Sequence, residues 1–139
     1  MKTLIIYNTR SNNTKMLAEK MKSILEKHSH SCDIYRDKEL KNVEIVDNYD
    51  LLCIGSPTHV GGPAFFPFRG LLKKIAKRHL DSKNLISFAT SGDKNGWIAV
   101  CESIKKRLPN LEYIGCVGCK RKDSDEAIVA FERLVSALK

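Results

Sequence analysis

Short apolar runs alternate with amphipathic segments along this chain, and that alternation permits few folds. The runs are Leu4–Tyr7 (LIIY), residues 31–36 (SCDIYR), Asp50–Gly55 (DLLCIG), Asn84–Ala89 (NLISFA) and Glu112–Val117 (EYIGCV). After the first run, Leu17, Met21, Ile24, Leu25 and His28 share one helical face, which predicts a helix over 14–29 with His28 at its end. A cation there suits the helix dipole. Phe65, Phe68, Leu71, Leu72, Ile75 and Ala76 predict a second helix up to His79. Val100, Cys101, Ile104 and Leu108 predict a third, stopped by Pro109, and Ile128, Phe131, Leu134, Val135 and Leu138 predict a last one. Residues 37–48 read as either a short helix or an irregular crossover. Continuous apolar runs suit strands buried on both faces. Strands alternating with helices predict a single α/β domain over 1–139, with a parallel sheet between two helical layers and right-handed crossovers. Ligands of such sheets sit beyond the carboxyl ends of the strands, where the winding reverses.

Three unusual loops fall at that end. The first is Thr9-Arg10-Ser11-Asn12-Asn13-Thr14, between the first strand and the first helix. A helix start leaves backbone N–H groups unpaired, and its dipole favours an anion. The hydroxyls of Thr9, Ser11 and Thr14 add donors for phosphate oxygens. The second is Ser56-Pro57-Thr58-His59-Val60-Gly61-Gly62-Pro63, rich in residues that free or fix the backbone. The third is Thr90-Ser91-Gly92-Asp93-Lys94-Asn95-Gly96-Trp97.

With 139 residues, 42% hydrophobic and 29% charged, the chain has the composition of a globular protein with its own core. It lacks an apolar run of about 18 residues, the length needed to span a bilayer. Met1-Lys2 leads straight into the first strand, which leaves no room for a signal peptide and predicts a cytoplasmic protein. The five cysteines (Cys32, Cys53, Cys101, Cys116, Cys119) read as reduced thiols there, with Cys53 and Cys101 in the core. Cys116 and Cys119 form a CxxC without a second ligand pair, so structural thiols are expected in place of a metal. The net charge of +8 admits acidic partners. No nucleic-acid motif or interleaved aromatic–Arg array accompanies it, and nucleic acid is not expected as a partner.

Taken together, the three loops resemble those of the short-chain flavodoxins, and the likeness covers nearly the whole chain. The resemblance implies FMN at the switch point of a sheet ordered 2-1-3-4-5, a case named among the doubly wound folds. It implies that Thr9, Arg10, Ser11, Asn12, Asn13 and Thr14 hold the phosphate. Asn12 stands where the family has Gly, and Asn is the next residue to accept a left-handed backbone. Pro57, Thr58, His59, Val60, Gly61 and Gly62 would follow the inner face of the ring, with His59 where the family has an aromatic. A peptide at Val60-Gly61 or Gly61-Gly62 would turn toward the flavin on one-electron reduction, stabilising the semiquinone. Thr90, Ser91, Gly92, Asp93, Gly96 and Trp97 would follow the pyrimidine edge and outer face, with Trp97 stacking on the ring or, as the competing reading, buried at the helix start. Asp93 reads as a solvated turn residue.

The function implied is a low-potential one-electron carrier between redox proteins, acting as a monomer. The alternative on the same fold is an FMN-dependent NAD(P)H–quinone type oxidoreductase, which needs a substrate pocket over the ring. Two other users of this winding do not fit. A receiver domain needs an Asp at the end of strand three, whereas Asp50 begins it. A small tyrosine phosphatase needs a Cys where Asn8 stands. Lys94, Lys120 and Lys122 predict a positive rim beside the flavin that steers acidic redox partners. The basic residues Lys73, Lys74, Lys77, Arg78, Lys105, Lys106 and Arg107 are expected at the opposite helix ends.

Overall fold

A computed structural model describes residues 1–10, 12–59, 62–63 and 66–138. Five parallel strands, β1 (Lys2–Tyr7), β2 (Ser31–Arg36), β3 (Leu51–His59), β4 (Asn84–Ser91) and β5 (Glu112–Lys120), lie in the order β2-β1-β3-β4-β5. This is the expected doubly wound sheet. The helices are α1 (Asn13–Lys27), α2 (Phe66–Ile75), α3 (Lys94–Arg107) and α4 (Asp125–Ala137).

Successive side chains of a strand point to opposite faces, so both faces of a central strand must be apolar. In β1, Leu4 and Ile6 join one core with Phe68 and Leu72 of α2 and Val100 and Ile104 of α3. Ile5 and Tyr7 join the other with Leu17 and Met21 of α1 and Phe131 of α4. Thus α2 and α3 cover one face, and α1 and α4 cover the other. Residues 37–48 form no α-helix. They make two 3-10 turns, Asp37–Glu39 and Val43–Asn48, and Leu40 and Val46 enter the first core.

Two expectations are corrected. The strands run further than the apolar runs suggest: β3 continues through Pro57, Thr58 and His59, and β4 takes in Thr90 and Ser91. Backbone pairing of Ser56 with Ala89 and of Pro57 with Thr90 holds these polar residues in the ladder. The cysteines are not all reduced. Cys101 of α3 and Cys116 of β5 form a disulfide, because α3 lies on β5 and brings their Cα atoms to 5.8 Å. Cys32, Cys53 and Cys119 are free and buried. The Cys119 thiol is pushed up to about 11 by burial, and its Sγ donates to the Arg121 carbonyl oxygen at 3.2 Å. Protonated and enclosed, it is a structural thiol as expected.

Candidate functional site

At the carboxyl end of β1 the chain must turn from strand into helix within residues 8–12. It does so through Asn12, whose φ of 66° and ψ of −1° are left-handed. The asparagine therefore takes the conformation usually given to glycine. Its side chain makes no cap hydrogen bond to α1. Thr9, 6% exposed, carries its hydroxyl just before this turn, and Thr9 Oγ1 is buried with no partner among the described residues. A buried hydroxyl normally finds a partner, so an orphan beside an uncapped helix start marks a place for a ligand. No acid lies in residues 8–15, and Arg10 is exposed beside the turn. Asn13 begins α1, half-buried. Ser11 lies outside the described residues.

The other two loops close on the first. Thr14 Oγ1 and Thr90 Oγ1 share a buried hydrogen bond of 2.8 Å. Thr58 Oγ1 donates to the Thr90 carbonyl oxygen at 3.2 Å. The Asn8 N–H donates to the Gly55 carbonyl oxygen at 3.1 Å, joining the ends of β1 and β3. Pro57 and Thr58 are half-buried at the end of β3, where the backbone of His59 pairs with Gly62 in a two-residue antiparallel ribbon. Val60 and Gly61 lie outside the described residues.

In the third loop Ser91 is half-buried, and Gly92 and Asp93 are exposed. Asp93 caps α3, with Oδ1 accepting from the Gly96 N–H at 2.7 Å. The solvated-turn reading of Asp93 therefore has a structural purpose. A Cβ added at Gly96 would collide with Ser91 Oγ unless the serine turned away. Trp97 is half-buried against the core, and its indole lies on Gly118 of β5, where a Cβ would strike the ring. The structure thus shows the burial at the helix start, and the indole's remaining surface is open to solvent.

Two contributors were missed from sequence. Asn8 is 1% exposed and opens the first loop, and an amide directly before Thr9 was the available signal. Gly118 seats Trp97; its signal was a glycine near the carboxyl end of an edge strand. Lys94, Lys120, Arg121 and Lys122 are exposed at this end of the sheet, together with the acids Asp93 and Asp123. Burial, then Glu39, raises the Tyr7 pKa above its ordinary value, so no charge arises at the end of β1. Among the described residues no cluster of metal-ligating side chains occurs. No described helix is long and apolar enough to cross a membrane.

What this end of the molecule offers is a helix start whose N-cap side chain makes no cap hydrogen bond, an orphan hydroxyl and half-buried residues at the end of β3 and the start of α3. An anionic head fits the first two, and a flat ring alongside Pro57, Thr58 and Trp97 fits the third.

The family model described as Flavodoxin matches residues 5–113. Comparison with curated protein sequences returns no match. Among solved structures, oxidised flavodoxin 1 of Bacillus cereus is similar at a TM-score of 0.81 and 18% identity, covering 100% of each chain. Two-electron reduced flavodoxin of Megasphaera elsdenii gives 0.82 and 17%, covering 96% of this chain and 98% of that one. A short-chain flavodoxin associated with a bacterial microcompartment gives 0.87 and 12%, covering 99% and 96%.

Proposed function

The chain belongs to the flavodoxin family and its cofactor is FMN; from that premise we propose that it is a low-potential one-electron carrier between redox proteins, working as a monomer in the cytoplasm. FMN supplies the redox chemistry when bound. The residues present fit it. The Thr9 hydroxyl and the first N–H groups of α1 donate to the phosphate, and the left-handed turn at Asn12 aims them. Ser11 and Thr14 stand in the same hydroxyl series, and Arg10 adds a positive charge outside the turn. Pro57, Thr58, His59 and Gly62, with Thr90, Ser91, Gly92, Gly96 and Trp97, would hold the ring. Asp93 serves the ring indirectly, by fixing the start of α3.

The observation that carries the carrier reading is the shortness of the connections at this end. Residues 60–65, 92–93 and 121–124 are all that separate β3, β4 and β5 from the helices that follow them. Such loops can hold a ring but have no chain left to roof a second substrate over it. The exposed cations Lys94, Lys120, Arg121 and Lys122 support acidic redox partners. Reversing Lys120 and Lys122 to Glu should flatten the salt dependence of electron transfer with an acidic partner.

An anaerobic reductive titration of the FMN-loaded protein tests the main claim. Accumulation of half-reduced flavin before full reduction is expected. Direct passage to the two-electron-reduced form would overturn the carrier reading in favour of an NAD(P)H–quinone type oxidoreductase.

A further inference from the structure

Between α2 and α3 runs a groove of about 550 Å³, lined by Arg69, Gly70, Lys73, Ala76 and Arg107. It lies on a helical face of the sheet, and Arg107 ends α3 at the pole opposite the loops that flank FMN. Residues 66–79 carry Arg69, Lys73, Lys74, Lys77 and Arg78 without an acid. Of these, Arg78 is bound to Asp47. On α3, Lys105, Lys106 and Arg107 face a single acid, Glu102. Lys73, Lys74, Lys77, Lys105, Lys106 and Arg107 are all exposed. Repulsion among these cations works against folding, and nothing in the catalytic or cofactor end of the fold requires them.

Gly70 provides an independent observation. It is an interior residue of the ten-residue α2, exposed, where glycine weakens a helix. A Cβ at this position would meet nothing within 4 Å. Among the described residues neither close packing nor a left-handed backbone calls for glycine here. A missing side chain on the floor of a cationic groove leaves bare backbone that another chain can approach closely.

We propose that this groove docks an acidic extended segment of a partner protein. Its backbone lies over Gly70 and Ala76, and its carboxylates meet Lys73 on one wall and Arg107 on the other. The shape selects this occupant among anions. A membrane presents a broad surface that cannot enter a groove between two helices. Among the described residues the lining has no aromatic side chain on which nucleic-acid bases would stack. Arginine and lysine facing each other across an apolar floor suit carboxylates spaced along a peptide. The groove is lined by residues of α2 and α3 outside the three loops assigned to FMN, so the proposal stands apart from the carrier reading.

Fluorescence anisotropy of a labelled glutamate–alanine peptide with the whole FMN-loaded protein tests it. The double variant Lys73→Glu, Arg107→Glu should weaken binding by about tenfold or more, whereas Lys38→Glu, Lys41→Glu, with the same change in net charge and outside both the groove and the cationic rim, should leave it within about twofold. Gly70→Leu should weaken binding with the charge unaltered, and Gly70→Ala should raise the melting temperature. Equal losses for the two double variants would reduce the effect to net charge and overturn the proposal. Unchanged binding by Gly70→Leu would remove the peptide from the groove. Tighter groove-dependent binding of single-stranded DNA or phosphatidylglycerol vesicles than of the peptide would overturn the choice of partner.

Discussion

Helices α1 and α3 both start at the carboxyl ends of strands, yet their first turns are built in opposite ways. In α3 the chain enters through extended Asp93, φ −151°, whose carboxylate takes up the Gly96 N–H. In α1 it enters through left-handed Asn12, whose side chain makes no cap hydrogen bond, and Thr9 Oγ1 is buried without a partner among the described residues. Both starts have the same unpaired donors and the same positive dipole end. One is satisfied by the chain's own anion; the other is left for an anion that arrives with a ligand. A start without its cap forgoes about 1 kcal/mol, which phosphate binding restores. The comparison teaches that the proposed phosphate site is marked by what the chain withholds there.

The largest effect should come from making α1 resemble α3. Thr9→Asp gives α1 a carboxylate of its own, and FMN affinity should fall by about a hundredfold, roughly 2.7 kcal/mol. Flavin fluorescence titration measures this, and unchanged affinity would mean that the phosphate sits elsewhere. Next, Asn12→Val forces a β-branched residue into the left-handed turn and should cost about 1–2 kcal/mol in urea unfolding, while Asn12→Gly should bind FMN as the parent does. Asp93→Ala strips the cap from α3. It should lower stability by about 1 kcal/mol and shift FMN affinity by less than about threefold. A loss as large as that of Thr9→Asp would erase the distinction between the two helix starts.

The smallest effect concerns the far end of α1, where His28 Nε2 lies 2.7 Å from Glu132 Oε2 and Lys27 is nearby. The hydrogen bond from His28, then the charge of Lys27, holds the Glu132 carboxyl below its ordinary range. A depressed folded-state pKa stabilises the fold above the ordinary Glu pKa of about 4.3, and that support is lost as pH falls through the lowered value. Melting curves of the parent and Glu132→Gln should differ slightly at neutral pH and converge in acid. The pair is exposed, and salt should shrink the difference.

Much of this arrangement was legible in the chain. Leu4, Ile5, Ile6 and Tyr7 announce a strand buried on both faces, and asparagine at position 12 announces a left-handed turn. Both depend on local chemistry. What escaped depends on which elements lie against each other. Cys101 and Cys116 are 15 residues apart on a helix and a strand, and only the seating of α3 on β5 brings them together. Trp97 meets Gly118 for the same reason. In residues 37–48, Leu40 and Val46 are anchored in the core without helical spacing, so the 3-10 turns follow tertiary contacts that periodicity does not encode. The extension of β3 and β4 into polar sequence likewise reflects pairing with a neighbour, not composition.

Thr90 has a mechanical consequence. Its hydroxyl is bound to Thr14 and its carbonyl to Thr58, so three loops arising from both sides of the sheet are pinned at one residue. Loops joined in this way share their displacements. With FMN held as proposed, the loop at its head and the loops beside its ring would be coupled through Thr90, which would limit how far the cradle relaxes when the charge of the ring changes. For a protein whose task is to give and receive electrons, that stiffness keeps the reorganisation energy of its surroundings small.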